Sequence, residues 1–127
     1  MMGMIEDAHK SLIAEVGLCY VATASSDGQP NVSPKGSIVV LDDDHLAFAD
    51  IMSPGSRANL EENKRVAIYV CRPEKFQGFQ FKGTVELSKE GPVYDLLAAD
   101  IEKKGLKLPP IQNAVKVKIE EVRGLGG

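Results

Sequence analysis

Tryptophan is absent, and the 127 residues hold only two cysteines and two histidines. Cys19 and Cys71 both fall in apolar, strand-like stretches, which predicts free buried thiols in a reducing compartment and no disulfide. With His9 and His45 far apart and no clustered cysteines, no metal-ligand spacing exists. No apolar run approaches the roughly 20 residues that a membrane helix needs. The opening MMGMIEDAHK puts acidic residues where an export signal carries basic ones, so a cytoplasmic location is expected. A net charge of −3 and the lack of a basic stripe leave no electrostatic footprint for nucleic acid.

What is present describes an ordinary globular chain. Hydrophobic residues make up 43% and charged residues 26%, and the length suits one domain over residues 1–127 with a single core. The most informative stretch runs from Leu18 to Leu60. Leu18 to Ala24 is apolar and β-branched, a strand. Ser25-Ser26-Asp27-Gly28 is a turn signal, since Gly28 tolerates positive φ and Asp27 can bond its own backbone. Asn31 to Leu41 reads as one strand interrupted by Ser33-Pro34-Lys35-Gly36. Asp42-Asp43-Asp44 turns the chain, and His45 to Ile51 forms the next strand. Ser53-Pro54-Gly55-Ser56-Arg57 then opens a short helix, with Ser53 as N-cap and Pro54 where proline is tolerated.

Before this stretch, Met4 to Val16 carries Ile5, Ala8, Leu12, Ile13 and Val16 at helical spacing, and Gly17 stops it. After it, Arg65 to Cys71 and Phe76 to Leu87 read as strands joined by a turn. Gly78 and Gly83 inside the longer strand signal a bend or a close backbone approach. Val93 to Lys104 is helical, with Val93, Leu96, Leu97 and Ile101 as its apolar stripe. Gly105 to Pro110 is a loop, Ala114 to Ile119 alternates like a half-exposed strand, and Arg123 to Gly127 is too glycine-rich for regular structure. Six strands and three helices follow, in no βαβ rhythm and with short turns. The expected class is therefore mainly β (α+β), with an antiparallel sheet.

Four clusters can carry chemistry. A hydroxyl and a guanidinium on the first turn of a helix, Ser56 and Arg57 with Asn59 beyond them, suit an anion such as a phosphate. Pro34 removes a ladder donor from its strand and Gly36 lets another group reach the backbone, so Ser33, Pro34, Lys35, Gly36 and Ser37 suit a flat ligand. Ala49 and Asp50 end a strand, where Asp50 either meets a ligand or caps the following turn. Phe79 and Phe81 alternate with Gln80 and Lys82, which places the aromatics in the core. His9, on a polar helix face, and His45, after an acidic turn, both read as solvated. Asp42, Asp43 and Asp44 read as an exposed turn. Arg57, on a surface helix, is expected to add little to the core.

With GQPNVSPKGS, LAFADI and SPGSRANLEENKRVAI in that order, the chain resembles the FMN-binding split-barrel family, whose namesake is pyridoxamine 5'-phosphate oxidase. The likeness covers roughly Ile5 to Leu87 and, more loosely, the last strand. It implies an antiparallel six-stranded split β-barrel with flanking helices, binding FMN at the interface of a homodimer. It also implies that Ser56 and Arg57 meet the FMN phosphate and that Ser33 to Ser37 run along the isoalloxazine and ribityl chain. Ala49 and Asp50 would border the ring, and Gln80 or Lys82 would reach the partner's cofactor. Gly55 and Ala58 stand where family members carry a lysine, so one cation replaces two at the phosphate. Hydride or electron transfer to an unidentified small substrate or electron partner is the implied activity. The alternatives are a non-catalytic flavin or electron-transfer module, or a relative binding deazaflavin or haem. Pyridoxamine 5'-phosphate oxidation itself is disfavoured, because the C-terminal region offers Arg123 but no histidine beside it.

Overall fold

The computed structural model describes residues 3–126. Three α-helices and seven strands follow one another as α1 (Asp7–Val16), β1 (Cys19–Ala24), β2 (Pro30–Lys35), β3 (Val39–Val40), β4 (His45–Asp50), α2 (Pro54–Glu62), β5 (Arg65–Arg72), β6 (Gln77–Ser88), α3 (Pro92–Lys103) and β7 (Asn113–Arg123). A single 3₁₀ turn, Pro73–Lys75, links β5 to β6. Among the described residues no helix is long and apolar enough to cross a membrane.

All strands belong to one sheet in the order β2-β1-β5-β6-β7-β4-β3, and every neighbouring pair is antiparallel. That order forces the shape. β2 and β3 lie at opposite edges, yet only Gly36, Ser37 and Ile38 join them. Four Cα steps span at most about 15 Å, whereas six inter-strand gaps in a flat sheet add up to about 29 Å. The sheet must therefore curl until its edges nearly meet. The expected strand Asn31 to Leu41 is corrected on this point: it is two strands, which makes seven rather than six. The interruption at Ser33-Pro34-Lys35-Gly36 was visible in the sequence, but nothing local says that the chain changes sheet edge there.

Curling needs a bend in the long strands. β6 and β7 shift register between Lys82 and Gly83. A Cβ on Gly83 would lie 2.0 Å from the Lys118 carbonyl oxygen, so a side chain there is excluded. Inside the curl sits the main core, including Val21, Phe48, Ile68, Phe81 and Val117. β4 is buried on both faces, because Ala47 and Ala49 turn outward under Leu97 and Ile101 of α3. Small side chains there let the helix lie close.

Local expectations fare unevenly. Gly17 caps α1 in the left-handed region, and Gly28 turns with φ 89°. β7 reaches Arg123, so the tail is ordered one residue into the expected glycine-rich segment. Leu96 is exposed and drops out of the α3 stripe, and Ala8 is exposed on α1. His9 is corrected outright. It is buried edge-on against Phe79 and Phe81, with ring centroids 4.4 and 5.5 Å away, and its Nδ1 accepts the Glu6 backbone N–H at 2.9 Å. A neutral imidazole thus completes the helix cap and fills an aromatic slot. Cys19 is buried and Cys71 half-buried, both as free thiols.

Candidate functional site

The edges of the curled sheet meet where β2 and β4 both end. Ser33, Pro34, Lys35, Gly36 and Ser37 form one wall of a cleft of about 390 Å³, and Ala49, Ile51, Met52 and Ser53 form the other. This is within the size range of small-molecule sites. The Ser37 hydroxyl accepts the Ala49 N–H at 3.0 Å and ties the walls together. Around Gly36 a Cβ would find no atom within 4 Å, so the open side of the backbone faces free space.

Lys35 is the cation of this cleft. Its side chain is packed in until 7% of the residue remains exposed, and its Nζ donates to the Ser53 hydroxyl. Burial pushes the Lys35 pKa down, with nearby Asp50 opposing and Arg57 reinforcing the shift. Ser53 stands at the N-cap of α2 as expected, but its hydroxyl makes no cap bond. It serves Lys35 instead.

Behind this wall lies an ion pair that residue spacing alone does not reveal. Arg57 folds back so that Nε donates to Asp50 Oδ2 at 2.8 Å and Nη2 to the Ile51 carbonyl at 3.3 Å. That contact raises the Arg57 pKa. Asp50, 3% exposed, also accepts Asn113 Nδ2 at 3.0 Å. Asp50 therefore anchors the first turn of α2 to the end of β4 rather than capping its own turn. The expectation that Arg57 adds little to the core is corrected, since it neutralises a buried carboxylate. Lys35 and Arg57 against Asp50 leave the site with one excess positive charge in a chain of net charge −3.

Ser56 is buried on the inner side of α2. Its hydroxyl takes Asn31 Nδ2 at 3.0 Å and meets the Ser33 hydroxyl at 3.0 Å, which pins α2 to β2. Asn59 donates to Thr23 Oγ1 at 3.0 Å, one turn further along. Gln80 sits on β6 opposite Tyr69 and between β5 and β7, and does not line the cleft. The fold thus brings Ser33 to Ser37, Ala49, Asp50, Ser56 and Arg57 into one place, with Asn59 behind them and Gln80 apart.

The sequence reading missed Asn31 and Asn113, whose roles depend on long-range partners, and three aliphatic rim residues. Met52, Leu106 and Leu108 line the cleft while remaining 68%, 44% and 41% exposed. Two leucines in the loop ahead of Pro109-Pro110 were the available signal.

A curled antiparallel sheet whose edges close over a cationic, apolar-rimmed cleft defines a split barrel. The chain belongs to the pyridoxamine 5'-phosphate oxidase family, whose model matches residues 5–126. It is 37% identical over 126 residues to the uncharacterized protein MJ0282 of Methanocaldococcus jannaschii, covering 96% of this chain and 80% of that one. Group A Streptococcus HupZ superposes with a TM-score of 0.85 at 29% identity, over 96% of this chain and 94% of that one. A candidate pyridoxamine 5'-phosphate oxidase from Lactobacillus delbrueckii gives 0.79 at 25% identity, over 94% and 93%. The fold alone is shared, at 18–20% identity, with an FMN-binding protein of Syntrophomonas wolfei, an F420 reductase and the haem storage protein HutZ of Vibrio cholerae.

Proposed function

We propose that this chain is an FMN-binding flavoprotein that passes hydride or electrons through its cofactor, and that it works as a homodimer. The observation that carries the reading is Lys35, a buried ammonium whose hydrogen-bond partner is a neutral hydroxyl. It lies in a cleft with apolar rims and an open backbone at Gly36. A buried cation without a full counter-charge is costly, and an anionic or electron-rich ring edge relieves that cost. Lys35 would face the pyrimidine side of the flavin and favour its reduced anion. The first turn of α2, with its unpaired N–H groups and the outer side of Arg57, would hold the phosphate. Asp50 and Asn113 would keep Arg57 in place, and Ser56, through Asn31 and Ser33, would fix the spacing between α2 and β2. The bound flavin supplies the redox chemistry; the chain supplies position and charge.

Dimerisation follows from the open side of the cleft and from the outer face of the sheet. Tyr20, Val32 and Pro34 are exposed there on adjoining strands, with Tyr20 opposite Pro34. A second subunit would cover them and close the cofactor site. Light scattering at micromolar concentration with flavin bound should return twice the chain mass; a monomer mass would refute the dimer.

The function is tested by titrating FMN and riboflavin against wild type, and against Asp50→Asn and Asp50→Asn/Arg57→Ala, a pair in which no buried carboxylate is left without its counter-ion. Loss of one charge-assisted phosphate contact should weaken FMN by about ten- to a hundredfold and leave riboflavin nearly unchanged. Equal losses for both flavins would put the phosphate elsewhere. No binding of either to wild type would overturn the flavin reading.

A further inference from the structure

The turn that ends α3 is built to aim at the cleft. Gly105, with φ 70°, donates its N–H to the Glu102 carbonyl at 2.9 Å, and Leu106 donates to the Ile101 carbonyl at 3.3 Å. This double bond pattern around a left-handed glycine is a Schellman ending, in which the residue after the glycine usually packs back on its own helix. Leu106 instead lines the cleft, and so does Leu108 two residues on. The segment is also fastened to the opposite wall. Lys104 Nζ pairs with Asp100 Oδ2 at 2.9 Å and donates to the Gly36 carbonyl at 3.2 Å. Pro109 restricts Leu108 to extended backbone, and Pro110 stiffens the exit. The outcome is a short, pre-ordered arm that holds two solvent-exposed leucines at the mouth of the cleft, which Met52 also lines.

We infer that residues 104–110 are the ring-selecting element of the site: Leu106 and Leu108, with Met52 opposite, form an aliphatic sandwich for a flat heteroaromatic ring, and Lys104 is the positioning residue that sets its gap. The inference rests on the flavin reading and adds to it the part of the ligand that these residues recognise. Their contacts would go to the ring system, which FMN and riboflavin share, and not to the phosphate. An arm already ordered before binding loses little entropy when the ring arrives.

The test uses Leu106→Ser, Leu108→Ser and Lys104→Met in the 127-residue chain, titrated with FMN and with riboflavin by fluorescence quenching. Each leucine variant should weaken both flavins by the same factor, about tenfold, or about 1.4 kcal/mol. Each should also blur the structured shoulder of the visible flavin band, which sharpens in apolar surroundings. Lys104→Met should give a smaller loss, again equal for the two flavins, and Leu108→Met should restore most of the affinity. Melting curves matching wild type will show that these exposed positions leave the fold intact. Where a serine variant melts early, Leu108→Met against Leu108→Asn carries the comparison. Unchanged binding and spectrum in the leucine variants, alongside a selective FMN loss when Arg57→Ala is added to Asp50→Asn, would overturn the inference and leave the flavin reading standing. A wild type that binds neither flavin would overturn both.

Discussion

Replacing Lys35 by methionine sets stability against function. Methionine has nearly the same length and flexibility, fills the same slot between β2 and β4, and carries no charge to desolvate. In the free protein the Lys35 ammonium belongs to a residue 7% exposed, is hydrogen-bonded to the neutral Ser53 hydroxyl, and has Asp50 and Arg57 pulling in opposite directions. Exchanging buried ionic groups for apolar ones often stabilises by about 1–4 kcal/mol. For a single, partly compensated cation we take about 1 kcal/mol. With an unfolding entropy of roughly 2.1 cal/mol/K per residue over 127 residues, that raises the melting temperature by about 4 °C. pH supplies the sharper discriminator. The folded state holds Lys35 below the ordinary value of 10.5, so the unfolded chain binds that proton more tightly. Wild type therefore gains stability as pH rises through the folded value toward 10.5, and the advantage of Lys35→Met, full at neutral pH, shrinks over that interval. Flavin affinity should fall by about tenfold at the same time. Calorimetry of both proteins between neutral pH and about pH 10 checks the first claim. A less stable variant, or a gap that does not change with pH, would refute the view of Lys35 as a charge kept for a ligand at the expense of the fold.

Gly83→Ala should destabilise by about 3 kcal/mol or more, because the new methyl would lie 2.0 Å from the Lys118 carbonyl oxygen; a denaturant midpoint equal to wild type would remove the bulge from the account of the curl. His9 is held below its ordinary value of 6.5 by burial, with Glu6 opposing. The stability it contributes is present above 6.5 and lost as pH falls through the folded value, and urea unfolding at about pH 7 and about pH 5 should show the loss in wild type and a flatter profile in His9→Gln. Two thiols should titrate under denaturing, non-reducing conditions. In the native protein Cys19 should react slowly, since burial lifts its pKa to about 12, while half-buried Cys71 reacts first.

Much of this fold was legible because its signals are local. Strand alternation in β1, the turn at Gly28, the glycine stop at Gly17 and the helix start at Pro54 each depend on neighbours in sequence. The grouping of Ser33 to Ser37 with the start of α2 is long-range, and it was legible through the family resemblance alone. What was not legible depends on distance. The interruption of Asn31 to Leu41 at Ser33-Pro34-Lys35-Gly36 gives no sign that Gly36 carries the chain from one sheet edge to the other. Polarity placed His9 on the wet face of α1, yet its imidazole completes a cap and packs against Phe79 and Phe81, 70 and 72 positions along the chain and beyond any local pattern. Arg57 carried the right charge for an anion, but its partner Asp50 lies on a different element, and Asn113 arrives from the last strand. The rim leucines were read as loop because nothing in Gly105 to Pro110 says which surface the loop covers.

The most direct measurement is the visible spectrum and mass of the small molecule that leaves the native protein on heating after gentle purification. FMN binding in this cleft requires a yellow protein with an oxidised-flavin band and a released species of FMN mass, in a ratio of one per chain. A haem or deazaflavin spectrum, or a colourless chain that takes up no added FMN, would contradict the central claim.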